Sequence, residues 1–170
     1  MAQKPTYEEL EQRIKELEKR VIECKQMEEE LLNASTAKPV AGRGKILVMD
    51  DEKMIRILAS EMLSQLGYNV EVSKDGAEAI ELYKKAGESG NPFDAVFLDL
   101  TIKYGMGGKE TIEKLLEIDP NVKAIISSGY SNDPIVSDFE AYGFKGILAK
   151  PFNMNELTKV LDGVLTEKDK

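Results

Sequence analysis

The stretch FDAVFLD, residues 93–99, decides how this chain is read: a short apolar run closed by an aspartate, Asp99. Its β-branched and aromatic residues, bounded by Asn91 and Pro92, mark a buried strand. A second run of the same kind, ILVMDD at 46–51, ends on two acids, Asp50 and Asp51. A carboxylate drawn into the apolar interior at the end of such a run is costly unless something compensates its charge. Their position points to a metal and phosphate site rather than to ordinary solvated surface.

Working outward, short apolar runs alternate with helical patterns from Lys45 onward. Ile46–Met49, Val70–Val72, Ala95–Leu98, Ala124–Ile126 and Gly146–Ala149 are expected as five strands. Between them Ile55, Leu58, Ala59, Met62 and Leu66 repeat at helical spacing. The same holds for Ile80 and Tyr83, for Ile112, Leu115 and Leu116, and for Ile135, Phe139 and Tyr142. Leu157, Val160, Leu161 and Val164 form the last helix, with Asn153 as its expected cap. Alternating β and α elements imply an α/β fold: a doubly wound, five-stranded parallel sheet covered by helices on both faces.

The N-terminal part has a different character. From Tyr7 to Leu31 the residues Tyr7, Leu10, Ile14, Leu17, Val21, Cys24, Glu28 and Leu31 alternate three and four apart, a heptad seam. β-Branched residues at one seam position and Leu at the other favour a parallel two-stranded coil, so residues 5–33 are expected as a long coiled-coil helix that makes a homodimer. A solitary solvated helix is the competing reading. Residues 34–44, ASTAKPVAGRG from Ala34, are small, polar and broken by Pro39, Gly42 and Gly44, which is linker chemistry. Residues 45–168 form the globular domain.

Composition excludes several functions. The net charge of −8 divides into −1 for residues 1–44 and −7 for the rest, which disfavours sequence-independent binding to nucleic-acid phosphates. There is no histidine, so no phosphohistidine, Ser-His-Asp triad or histidine-ligated metal can be built. The single cysteine, Cys24, cannot form an internal disulfide, and no stretch approaches a membrane span or a secretory signal, which leaves the cytoplasm as the default compartment.

In an open parallel sheet, ligands bind beyond the carboxyl ends of the strands, where strand order reverses. With the order 2-1-3-4-5 the first and third strands are neighbours, so Asp50, Asp51 and Asp99 converge there, with Ser127 and Lys150 ending the fourth and fifth strands. Three carboxylates a few Å apart stay ionised only if a cation compensates them, and a hard, oxygen-seeking ion such as Mg²⁺ suits them. The bland alternatives are acids decorating a helix N-terminus and a surface lysine.

At this point the sequence resembles a receiver domain of bacterial two-component response regulators. The resemblance covers Lys45 to about Leu165 and rests on Asp50-Asp51, Asp99, Ser127, Lys150 and the step Lys150-Pro151-Phe152. It implies a flavodoxin-like sheet in which Asp99 accepts a phosphoryl group from a phosphohistidine on a partner kinase or phosphotransfer protein in trans. It further implies that Asp51, Asp99 and the backbone carbonyl of Thr101 hold Mg²⁺, with Asp50 acting mostly through water, and that Lys150-Pro151 is a cis peptide. Lys150 would pair with one phosphoryl oxygen and Ser127 donate to another. The chain would then be a phosphoacceptor, not an enzyme beyond its own phosphorylation and slow dephosphorylation, and no effector domain is expected after the last helix. SSGYS and GGKETIEKL are similar to receivers of hybrid sensor kinases, and the N-terminal segment resembles sensor-kinase linkers.

Two departures stand out. Ile147 occupies the position where the family usually has Tyr or Phe as a switch, which leaves room for a pseudo-receiver that acts as a dimerising interaction module. The loop after Asp99, LTIKYGMGG, lacks the common proline and carries Lys103 and Tyr104 instead. GMGGKET lacks the spacing of a phosphate-binding P-loop. A Mg²⁺-dependent phosphohydrolase is disfavoured, because no general acid is evident and Thr101 stands where dehalogenase-type phosphatases need a second Asp.

Overall fold

The computed structural model describes residues 43–129 and 134–166. The expected coiled coil at 5–33, the linker up to 42, Tyr130 and residues 167–168 lie outside the described residues.

All five expected strands form, most of them longer than the apolar runs. β1 spans Lys45–Met49, β2 Asn69–Ser73, β3 Ala95–Asp99, β4 Ala124–Ser128 and β5 Gly146–Ala149. Their parallel order is β2-β1-β3-β4-β5, so the chain runs from β1 to one neighbour and returns to the other side with β3. β3 and β4 are buried at every position, which explains why they read as continuous apolar runs instead of alternating ones.

The helices bury the faces that their periodicity marks. On one side of the sheet α1 (Lys53–Gln65) and α5 (Met154–Thr166) press Ala59, Met62, Leu63, Leu157, Leu161 and Val164 onto Ile46, Val48, Phe97 and Ile125. On the other, α2 (Gly76–Glu88) and α3 (Gly108–Ile118) bring Ala79, Tyr83, Ile112 and Leu115 against Leu47, Met49, Leu98 and Ile126. Each Leu, Ile, Val, Phe or Met among them that is fully withdrawn from water contributes about 1.5–3 kcal/mol. The helix starts are fixed locally. Asp75 accepts from the Glu78 N–H at 3.0 Å, and Asn153 and Glu156 form a reciprocal capping box with two bonds of 3.0 Å. Gly67 ends the α1 corner with φ +92°, a conformation that side chains avoid.

One element differs from expectation. Ile135, Phe139 and Tyr142 do not share one helix: α4 is only Pro134–Ser137, and a separate 3₁₀ turn covers Phe139–Tyr142. Asp138 breaks the pair with φ −137° and ψ 47°. The segment is poor in helix formers, with β-branched Ile135 and Val136 beside a Ser and an Asp, and burial of Phe139 and Tyr142 against the core decides its path.

Candidate functional site

Strand register builds the site. Met49 pairs with Leu98, so Asp50 and Asp99 stand next to each other at the carboxyl ends of β1 and β3. Asp51 follows in the turn to α1. One carboxylate oxygen from each of Asp50, Asp51 and Asp99 lies within 4.8 Å of the others. Asp50 and Asp99 are 1% and 6% exposed, whereas Asp51 is half-buried.

Lys150 closes the cluster from the end of β5. Its main-chain N–H donates to the Ser128 carbonyl at 2.8 Å, which extends the β4–β5 pairing by one residue, and the Lys150–Pro151 peptide is cis. The ammonium donates to Asp50 Oδ2 at 2.5 Å and to Asp99 Oδ2 at 2.6 Å. Burial pushes the Asp99 carboxyl above its ordinary value, against the opposing pull of Lys150 and the Thr101 N–H. Burial also works against the Lys150 charge, but its hydrogen bonds to Asp50 and Asp99 outweigh that and hold the ammonium above its usual range. Among the described residues, Lys150 is the cation that bonds these carboxylates, and against three acids it leaves their charge only partly compensated. Hard carboxylate oxygens at this spacing fit a divalent ion such as Mg²⁺.

Backbone donors fix the acids. The Glu52 N–H donates to Asp50 Oδ1 at 2.8 Å, the Thr101 N–H to Asp99 Oδ1 at 3.0 Å, and the Lys103 N–H to Asp51 Oδ2 at 3.2 Å. The loop that supplies two of these donors crosses close to β3. A Cβ on Gly108 would come within 2.7 Å of the Asp99 carbonyl oxygen, so the approach requires glycine. At its tip Tyr104 is 93% exposed.

The expected site residues therefore meet: Asp50, Asp51, Asp99 and Lys150 share one cluster, and Thr101 bonds Asp99 through its main chain. Ser127 is the register partner of Asp99 and is buried, lining a small cavity that also touches Asp50. Strand alternation turns Ser128 to the opposite face. Ile147 packs against the core on the α2/α3 side. Sequence reading missed Arg56, whose guanidinium Nη1 donates to the Asp50 carbonyl at 2.6 Å. The signal was there: between Lys53 and Glu61, Arg56 is the single charged residue on α1.

Comparison with known proteins agrees with this geometry. Chemotaxis protein CheY of Thermotoga maritima is 30% identical over 121 residues, 71% of this chain and 96% of that protein. Sensor kinase CckA of Brucella abortus is 29% identical over 133 residues, 78% of this chain but only 14% of the kinase, so the chain spans a small part of it. The CheX–CheY–BeF3–Mg²⁺ complex from Borrelia burgdorferi matches with a TM-score of 0.66 and 25% identity, covering 73% of this chain and 90% of that one. Residues 46–162 match the response regulator receiver domain model. With its sheet order, its acid cluster and its bridging lysine, the chain belongs to the response regulator receiver domain family.

Proposed function

We propose that this receiver is an active phosphoacceptor: Asp99 takes a phosphoryl group from a phosphohistidine on a partner histidine kinase or phosphotransfer protein. The observation that carries this reading is the meeting of Asp50, Asp51 and Asp99 within 4.8 Å, with Lys150 held between Asp50 and Asp99. Such a cluster is costly to bury without a task, because like charges a few Å apart resist ionisation together. The Borrelia burgdorferi complex, with BeF3 and Mg²⁺ in a related receiver, supports the same assignment.

In the reaction a carboxylate oxygen of Asp99 attacks phosphorus. The O–P bond forms as the N–P bond of phosphohistidine breaks, and the imidazole nitrogen leaves with the electron pair. Asp51, Asp99 and the Thr101 carbonyl would hold Mg²⁺ directly and Asp50 through water. When bound, Mg²⁺ supplies charge neutralisation at the phosphoryl oxygens. Lys150 exchanges its contact with Asp99 for a phosphoryl oxygen. A hydroxyl of the Ser127–Ser128 pair donates to another oxygen, assigned to Ser127 as the register partner of Asp99. The product is a dianionic group in place of a carboxylate, and contacts tightening around it shift the surrounding loops. The chain acts as a signalling acceptor in the cytoplasm, with autodephosphorylation as its only turnover.

Residues 45–168 carry this activity, residues 34–44 link it, and residues 5–33 form a parallel coiled coil that dimerises it. Sedimentation of the full chain against residues 45–170 tests the dimer, which is refuted by a full-length monomer. For the acceptor, incubation with Mg²⁺ and acetyl phosphate retards the wild type on phosphate-affinity gels and leaves Asp99→Asn unshifted. An unshifted wild type that also fails to bind beryllofluoride overturns it in favour of a pseudo-receiver. Ser127→Ala slows labelling, and a larger loss in Ser128→Ala moves the hydroxyl assignment by one residue.

A further inference from the structure

Asp50 is held at every polar atom. Its N–H donates to the Ser73 carbonyl at 3.1 Å, its Oδ1 accepts from Glu52, its Oδ2 accepts from Lys150, and its carbonyl accepts from Arg56 Nη1 at 2.6 Å. Three of these four partners come from the backbone or from the site itself. Arg56 is the exception: it reaches back across the first turn of α1 to the end of β1.

The start of α1 needs such a tie. Its first residue follows Glu52, which makes no side-chain cap, and the first turn carries no acid. The corner between β1 and α1 is three residues, Asp50, Asp51 and Glu52, and the first two are acids of the cluster. Arg56 is also built into α1 by its own N–H, which donates to the Glu52 carbonyl at 3.1 Å. Its guanidinium therefore joins the helix to the strand end across the Asp50–Glu52 corner. Arginine suits the role, because its charge persists at any accessible pH and its planar fork loses little freedom per bond.

We propose that Arg56 is a positioning residue of the acid site, clamping the Asp50 carbonyl so that Asp50 and Asp51 keep the spacing a divalent cation requires. This rests on the metal-site reading above. Partners lying outside the ligand set hold ligands in place, and losing one typically weakens metal affinity by about 10–100-fold. Arg56 acts on the main chain of the corner, at the mild end of that range.

Charge and geometry act in opposite directions here, which makes the test decisive. A cation beside three acids opposes a second cation, so if Arg56 contributed only charge, its removal would strengthen Mg²⁺ binding. If it holds the corner, removal weakens binding. The experiment is a Mg²⁺ titration of the full chain, read by thermal shift and by calorimetry, for wild type, Arg56→Met, Arg56→Gln and Arg56→Lys. The expected result is an affinity about tenfold weaker in Arg56→Met, with most of the loss restored in Arg56→Lys, which keeps a donor and a charge. Arg56→Gln is the fallback if Arg56→Met fails to fold without Mg²⁺. Tighter or unchanged Mg²⁺ binding in the folded neutral variant overturns the clamp. A wild type that binds no Mg²⁺ overturns the metal site itself.

Discussion

Lys150→Met removes the one ammonium that stands between two buried carboxylates while keeping the length of the side chain. Lys150 is itself largely enclosed, 14% exposed, and its two contacts at 2.5 and 2.6 Å are with side chains exposed by 1% and 9%. Taking one partner from a buried ion pair costs about 3–5 kcal/mol, because the remaining charge stays desolvated. Partial protonation of Asp99, already pushed upward by burial, relieves some of this, so the lower bound of about 3 kcal/mol applies. For a domain of this size that corresponds to a fall in Tm of roughly 10 °C. The loss is pH-dependent in a defined sense. A folded carboxyl with a raised pKa binds more protons than it does in the unfolded chain, so the variant loses stability as pH rises through the carboxylate range and above. Mg²⁺ reverses the order of sensitivity: the variant, with no ammonium competing for Asp50 and Asp99, gains more Tm from the ion than the wild type does. Differential scanning calorimetry with chelator and with Mg²⁺, at two pH values, reads all three effects. A variant that melts with the wild type in chelator, or gains no more from Mg²⁺, refutes the view that Lys150 compensates the cluster.

Other consequences concern the frame around the site. Gly108→Ala places a Cβ 2.7 Å from the Asp99 carbonyl oxygen and 3.3 Å from Leu100 Cα, so it destabilises the protein by about 1–3 kcal/mol and slows acetyl-phosphate labelling, as urea melts and gel kinetics will show. Leu98→Ala, at a fully buried position one residue before the acceptor, costs about 2–5 kcal/mol in the same melts. Tyr83 donates to Asp119 at 2.7 Å, and burial together with that bond raises its pKa far above 10. Because the unfolded tyrosine ionises first, the protein loses stability as pH rises above 10, and Tyr83→Phe flattens that slope while costing about 1 kcal/mol at neutral pH.

The site was legible because its residues occupy strand ends. A buried parallel strand is a continuous apolar run, so the acids closing ILVMDD and FDAVFLD marked one edge of the sheet, and adjacency of β1 and β3 then joined Asp50 to Asp99. Lys150 was legible for the same reason, sitting one residue past β5. Periodicity misplaced the element before β5. Ile135, Phe139 and Tyr142 have helical spacing, but tertiary burial of a segment weak in helix propensity breaks it at Asp138. Main-chain partners were invisible altogether: the bonds from Thr101 and Lys103 to the acids depend on loop conformation, which residue identity does not encode. Arg56 lay between, a charge in an apolar helix start whose target is a carbonyl that any residue could have provided.

The central claim is that Asp99 itself carries the phosphoryl group. An acyl phosphate on aspartate is reduced by borohydride to homoserine, which marks the acceptor permanently. The wild type, labelled with acetyl phosphate and Mg²⁺ and then reduced, yields homoserine at position 99 in peptide mass spectra, and nowhere in Asp99→Asn. Homoserine at Asp50, Asp51 or another acid, or at none, contradicts it.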